Sequence, residues 1–290
     1  MDNKGGALTL SNLLNKRTLN VCLKSSHFPL QQIDDCACST QFQINFICRV
    51  NIMASYHLSI KSGKRGKAAK HAAYIAREGK HGRADKKEEL IATEHGNLPD
   101  WAYGNPSLLW KMADQNERKN GAAYRELEVA LPAELAPDQQ VALLQAFVNA
   151  ELPGKPYQLA IHEPIAALGG VKQPHAHIMF SDRKPDGIER TPSQYFKRHN
   201  PTNPERGGCK KDSGGKAPEE LKNELISRRE RWANLQNEFL EANGHPASVD
   251  HRSNKDRGIQ ATAERHLGHV GIKKMTPEER SGYQSKRRSA

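Results

Sequence analysis

Two strand-forming runs, YQLAIHE at 157–163 and HAHIMFS at 175–181, stand on either side of only eleven residues, PIAALGGVKQP. Parallel neighbours in a sheet need a crossover of a dozen or more residues, usually a helix. This spacer carries Gly and Pro and no helical period, so the two runs are expected to form an antiparallel hairpin with a long loop. Elsewhere strand and helix patterns alternate, which alone would suit a doubly wound parallel sheet. With the hairpin in place the expected class is α+β: a mainly antiparallel sheet with helices packed on one face, the other face free for a ligand.

Local patterns supply the elements. In SYHLSIK, Tyr56, Leu58 and Ile60 alternate with His57 and Ser59, the period of a half-buried strand. KHAAYIAREGKHG predicts a short helix over 70–82. At about 100° per residue, Tyr74 shares a face with Lys67, Lys70, His71 and Arg77, opposite Ala68, Ala72, Ile75 and Ala76. A second helix follows NPS, with Asn105 as N-cap and Pro106 in its first turn. The strand YRELEVAL puts Tyr124, Glu126 and Glu128 on one face and Arg125, Leu127 and Val129 on the other. A helix from APDQQ carries Val141, Leu144, Phe147 and Val148 towards the core. Residues 182–216, rich in Gly, Pro, Lys and Arg, hold a short helix around TPSQYFKRHN; a loop this long in a compact domain is either functional or disordered. A long amphipathic helix then buries Leu221, Leu225, Trp232, Leu235 and Phe239 and ends at Gly244.

Three segments are expected: an extension over 1–52, without sustained periodicity; a main domain over 53–274, with Met53 a candidate functional start; and a basic, flexible tail over 275–290. Cys22, Cys36, Cys38 and Cys48 precede Met53 and only Cys209 follows it, so the main body has neither a disulfide framework nor a cysteine zinc site. No run approaches the roughly 18–20 apolar residues that span a bilayer, and the expected location is the cytoplasm, without membrane insertion.

The net charge of +11 favours a polyanionic partner, because Lys and Arg that neutralise phosphates release counterions. Lys61 to Arg83 alone holds eight Lys or Arg against one Glu. Lys64, Arg65, Lys67, Lys70, His71 and Arg77 are the expected contacts to a phosphate backbone.

His175 and His177, two apart in one strand, leave the same face of the sheet. His162 lies in the preceding strand with alternation opposing Leu159 and Ile161, so the hairpin can bring three imidazoles together as ligands of a divalent metal ion. Glu126 and Glu128 extend this polar face. Either one accepts a proton from Tyr74, orients a histidine or completes the metal shell, or both belong to a solvated strand. A metal, a tyrosine on a basic helix and a basic surface together fit phosphoryl transfer by phenolate attack. Tyrosine, with an unperturbed pKa of about 10, needs a base or nearby cations to attack. The tyrosyl ester would retain the phosphodiester energy, so the same strand could later be rejoined.

PHAHIMF resembles the His-hydrophobe-His signature of the HUH endonucleases, with Ala176 in the middle position. More specifically, YHLSIKSGKRGKAAKHAAYIAREGK, RELEVALP, YQLAIHE, PHAHIMFSDRKPDGIERTPSQYFKRHNP and VDHRS, in this order, resemble the relaxase domain of the MobA/MobL family of plasmid mobilization proteins. The resemblance runs from about Met53 to about Lys274. It implies a single-tyrosine relaxase that cleaves one DNA strand at an origin of transfer and stays on the new 5′ end. It maps the nucleophile onto Tyr74, the metal ligands onto His162, His175 and His177, and the strand carboxylates onto Glu126 and Glu128. The expected metal is Mg or Mn, and the expected partners are single-stranded origin DNA, accessory relaxosome proteins and a coupling protein. Within DGIERTPSQYFKRHNPTNPERGG, a DNA-contacting flap is expected in which Tyr195 and Phe196 stack on bases while Lys197 and Arg198 meet phosphates. The rival readings are a rolling-circle replication initiator or transposase of the same superfamily, and a nucleic-acid-binding protein whose histidines hold a structural metal.

Overall fold

The computed structural model describes residues 56–82, 90–166, 168, 170–260 and 268–289. The 1–52 extension, Met53 and the four N-terminal cysteines lie outside the described residues. Five strands, β1 (Leu58–Lys64), β2 (Leu90–Gly96), β3 (Ala122–Ala130), β4 (Tyr157–His162) and β5 (His175–Phe180), form one sheet in the order β1-β3-β5-β4-β2. Every neighbouring pair is antiparallel. β4 and β5 make the expected hairpin, with His162 opposite His175 and Tyr157 opposite Phe180. β2 was not expected: LIATEHG lacks apolar alternation and lies on the sheet edge, where pairing with β4 fixes it.

One face carries the two long helices, α3 (Pro137–Glu151) and α5 (Pro218–Ala242). The period-2 pattern places Leu127, Val129, Leu159, Ile161, Ala176 and Ile178 beneath them. Leu143, Leu144 and Phe147 of α3 and Trp232 and Leu240 of α5 close this core. The Phe147 and Trp232 rings meet with centroids 4.5 Å apart. Across this layer, Glu151 of α3 accepts from both Arg228 and Arg231 of α5.

The α+β antiparallel class stands, and the second face is only partly free. α1 (Ala68–Ile75), α2 (Pro106–Asn116) and α4 (Pro192–Tyr195) cover one portion of it. Ala68, Ala72 and Ile75 pack there with Leu109, Trp110, Ala113, Ala160 and Met179. Small alanines let α1 lie close to its neighbours, and its polar side remains outward. Asn105 caps α2 as expected, accepting from the Ser107 N–H at 2.9 Å.

α1 is displaced from the expected 70–82, for reasons visible at both ends. At its start, the Asp114 carboxylate of α2 accepts from the backbone N–H groups of Gly66, Ala68 and Ala69 at 2.7, 3.0 and 2.9 Å, an N-cap supplied in trans. At its end Arg77 adopts a left-handed φ of 55°, which stops the helix and leads into a 3₁₀ turn at Gly79–His81.

Close packing extends to Gly63 on β1. A Cβ there would lie 1.9 Å from Cε1 of the Tyr124 ring, which stacks on His71 with centroids 5.4 Å apart. A Gly63→Ala variant is therefore expected to lose about 1–3 kcal/mol by overpacking. Urea denaturation should show a lower midpoint with an unchanged slope.

Residues 182–216 are ordered by buried charge. The Arg183 guanidinium donates to the carbonyls of Phe196, Lys197 and Cys209 and to the Glu117 carboxylate at the end of α2. Arg190 donates to Gly207 and Pro204 carbonyls and pairs with Asp186. Of the two alternatives open for a loop this long, disorder is excluded by these contacts. The expected tail over 275–290 contains α7 (Pro277–Ser289), preceded by α6 (Gly268–Lys274).

Candidate active site

His162 from β4 and His175 and His177 from β5 converge on the second sheet face. One nitrogen from each lies within 4.8 Å of the others, and ring centroids are 5.2–5.6 Å apart. Each ring also has an acceptor on a second nitrogen. His162 Nε2 donates to the Ile75 carbonyl at 2.7 Å, His175 Nδ1 to the Gln173 carbonyl at 3.1 Å, and His177 Nδ1 to Glu126 Oε1 at 2.8 Å. A carbonyl or carboxylate can only accept, so the proton of each neutral ring is on the outer nitrogen. The lone pairs are then on His162 Nδ1, His175 Nε2 and His177 Nε2. Burial pushes the pKa of His162 and of His175 down to about 4, which keeps both rings neutral near pH 7. Three imidazoles held in orientation by these outer hydrogen bonds are a fitting donor set for a divalent transition metal.

Tyr74 sits on the outward face of α1 and is 37% exposed. Its neighbour Ile75 is the residue whose carbonyl receives His162, so the end of this helix abuts the triad. The Arg77 guanidinium lies 4.8 Å over the Tyr74 ring, and His81 approaches it edge-on at 5.5 Å.

Glu126 Oε1 accepts from His177 Nδ1 and His71 Nε2, both at 2.8 Å. Burial alone would raise its pKa; the hydrogen bonds from His177 and His71 outweigh that and hold it at about 2. Glu128 forms an ion pair with Lys61, and here too the partner's hydrogen bond and charge overcome burial, so its pKa falls. The two carboxylates share a face, as the alternation of YRELEVAL requires, and differ in their partners.

Lys61, Lys64, Lys67 and His71 line a pocket of about 440 Å³ that also reaches Glu126, Glu128 and His177. Lys70 is exposed on α1 and lines a separate shallow pocket with Lys80 and His81. Arg65 is exposed, and its guanidinium donates to the carbonyls of Asp114 and Gln115, linking the start of α1 to α2. Lys197 and Arg198 are exposed. Tyr195 and Phe196 are buried against Trp101 and cannot stack on bases; they anchor the flap in the second core.

Sequence reasoning does not single out Lys61, His81 or Asp114. Lys61 had a usable signal, since it follows His57 and Ser59 at period 2 on the strand face opposite Leu58 and Ile60. His81 and Asp114 act across turns and between helices, beyond any local pattern.

The fold and site define a class: an antiparallel-sheet protein with a candidate three-histidine metal centre beside a tyrosine-bearing basic helix. The MobA/MobL family model matches residues 65–277, and the chain belongs to that family. The chain is 52% identical over 208 residues to the 43 kDa relaxation protein of Salmonella typhimurium, covering 71% of this chain and 56% of that protein. It is 43% identical over 222 residues to mobilization protein A of Escherichia coli, covering 74% of this chain and 30% of that one. The chain thus spans just over half the length of the first relative and under a third of the second. Among solved structures, one described as the molecular basis of vancomycin resistance transfer in Staphylococcus aureus shares the fold. Its TM-score is 0.50 at 24% identity, over 69% of this chain and 100% of that one. Among the described residues no helix is long and apolar enough to cross a membrane.

Proposed function

We propose that this chain is a plasmid mobilization relaxase that nicks one DNA strand at an origin of transfer and rejoins it. The observation that carries this reading is the convergence of His162, His175 and His177 beside the C-terminal end of the helix that bears Tyr74. In the reaction, Tyr74 Oη attacks the scissile phosphorus, the P–O3′ bond breaks, and the products are a free 3′-hydroxyl and a 5′-phosphotyrosine. Rejoining is the reverse attack by the 3′-hydroxyl, which releases the phenol.

His162, His175 and His177 would hold a divalent metal ion, Mg or Mn, which when bound supplies positive charge to the scissile phosphate. Lys61, Lys64 and Lys67 line the adjacent pocket and attract the flanking phosphates. Arg77 covers one face of the Tyr74 ring and limits its motion. Glu126, already accepting two N–H groups, orients His177 and His71. Glu128, partly exposed beside Lys61, is the carboxylate left to take the phenol proton. Lys197 and Arg198 extend the basic surface beyond the pocket, and the protein's accessory partners and coupling protein would meet it at the origin.

End-labelled single-stranded oligonucleotides tiled across the neighbouring mobilization region provide the test. The expected result with Mn²⁺ or Mg²⁺ is cleavage of one oligonucleotide and a detergent-stable adduct whose labelled peptide contains Tyr74. Chelation should suppress both by at least about tenfold. Cleavage at full rate in chelator would remove the metal from the reaction, and an adduct on another residue would remove Tyr74.

A further inference from the structure

Two of the three imidazoles are fastened, through their outer nitrogens, to the same helix. His162 reaches α1 directly, donating to the carbonyl of Ile75 at 2.7 Å. His177 reaches it through Glu126, whose Oε1 accepts from His177 and from His71 of α1, each at 2.8 Å. His175, by contrast, donates to Gln173 on the approach to its own strand. The residues attached on α1 are not scattered along it: His71 lies one turn before Tyr74, with the two rings stacked at 6.1 Å, and Ile75 directly follows Tyr74. Far from the triad, the start of α1 is fixed by the Asp114 carboxylate and by Arg65 on the α2 carbonyls.

We propose that α1 is the outer support of the three-histidine centre, so that metal binding and placement of Tyr74 are one coupled equilibrium, with His71 and Asp114 as positioning residues. This rests on the reading that the three histidines take a divalent metal. A metal ion drawing electron density from a ring at its inner nitrogen makes the outer N–H a stronger donor. The acceptors that gain are the Ile75 carbonyl and Glu126, and both hold α1. Metal therefore tightens the helix on either side of Tyr74. Coupling between two binding equilibria is reciprocal, so loosening α1 must weaken the metal by the same factor. The effect extends to Asp114, which touches neither the triad nor Tyr74 through any of its hydrogen bonds to Gly66, Ala68 and Ala69.

The test uses the full chain and no DNA. Cobalt(II) binding is followed by its visible absorption and by calorimetry, and amide hydrogen exchange is measured over α1 with and without the metal. The expected result is binding at one site, increased protection of the amides of residues 72–78, and a loss of affinity of about tenfold or more in His71→Ala. His71→Gln, whose amide can still donate to Glu126, should recover most of that loss. Asp114→Ala should weaken cobalt in the same direction at temperatures where the variant remains folded. A wild-type chain that binds no cobalt overturns the metal reading and this inference with it. Binding that leaves exchange in α1 unchanged, or that has the same affinity in His71→Ala, overturns the coupling alone. The exchange measurement on the wild-type chain decides the matter even if all three variants fail to fold.

Discussion

Replacing Tyr74 by Phe is expected to abolish covalent adduct formation and strand cleavage while leaving single-strand binding nearly intact. The ring keeps its place in this substitution. Arg77 can still cover it, His71 can still stack on it, and the alanine face of α1 is untouched. Only the phenol oxygen, the proposed nucleophile, is lost. Removing an essential nucleophile costs on the order of a thousandfold or more, and no neighbouring group supplies the same bond. Fluorescence anisotropy with a labelled oligonucleotide and a denaturing gel on the same samples separate the two properties. Nicking at the wild-type rate by Tyr74→Phe would end the assignment of Tyr74, whereas parallel loss of binding and cleavage would make the residue a DNA contact.

The second large effect lies away from the triad. Arg183→Leu is expected to destabilise the protein by about 3 kcal/mol, because it takes the shortest ion pair from a buried Glu117 carboxylate and leaves it only Lys211 at 3.2 Å and Arg118 at 3.8 Å. Glu117 is 1% exposed and Arg183 is 3% exposed, so water cannot replace the missing partner. The same change frees three carbonyls, at Phe196, Lys197 and Cys209, that hold the flap in its fold. Since a domain of this kind has only about 5–15 kcal/mol of total stability, the variant should unfold at much lower denaturant. Adding Glu117→Gln to Arg183→Leu removes the under-compensated charge and should recover part of the loss. A double variant no more stable than the single one would show that the carbonyl contacts, rather than the ion pair, carry the cost.

Much of the architecture can be read from local chemistry. The alternation in YRELEVAL assigned Leu127 and Val129 to the core and both glutamates to the polar face, and the structure agrees. Asn105 and Pro106 marked the start of α2 because capping is a matter of neighbouring atoms. The short, helix-free spacer before His175 determined that β4 and β5 are antiparallel. The failures share a physical cause, which is that long-range contacts override local preference. β2 is held by its pairing to β4 rather than by its own residues, and α1 begins early because a carboxylate from α2 caps it. Tyr195 and Phe196 look like stacking residues in a basic loop. They are buried because Arg183 and Arg190 bend that loop over a second core, and no pattern within the loop reports it. Sequence placed Glu126 and Glu128 together, and only the three-dimensional partners distinguish them: two imidazoles for one, a lysine for the other.

The strand order β1-β3-β5-β4-β2 keeps the imidazoles on inner strands, while Lys61 and Lys64 ride on the rim. Margins of a sheet open more readily than its middle. If the chain nicks and rejoins DNA as proposed, breathing of β1 would slacken the hold of Lys61 and Lys64 on a bound strand while β4 and β5 keep the histidines in place, letting cut ends exchange before the return step.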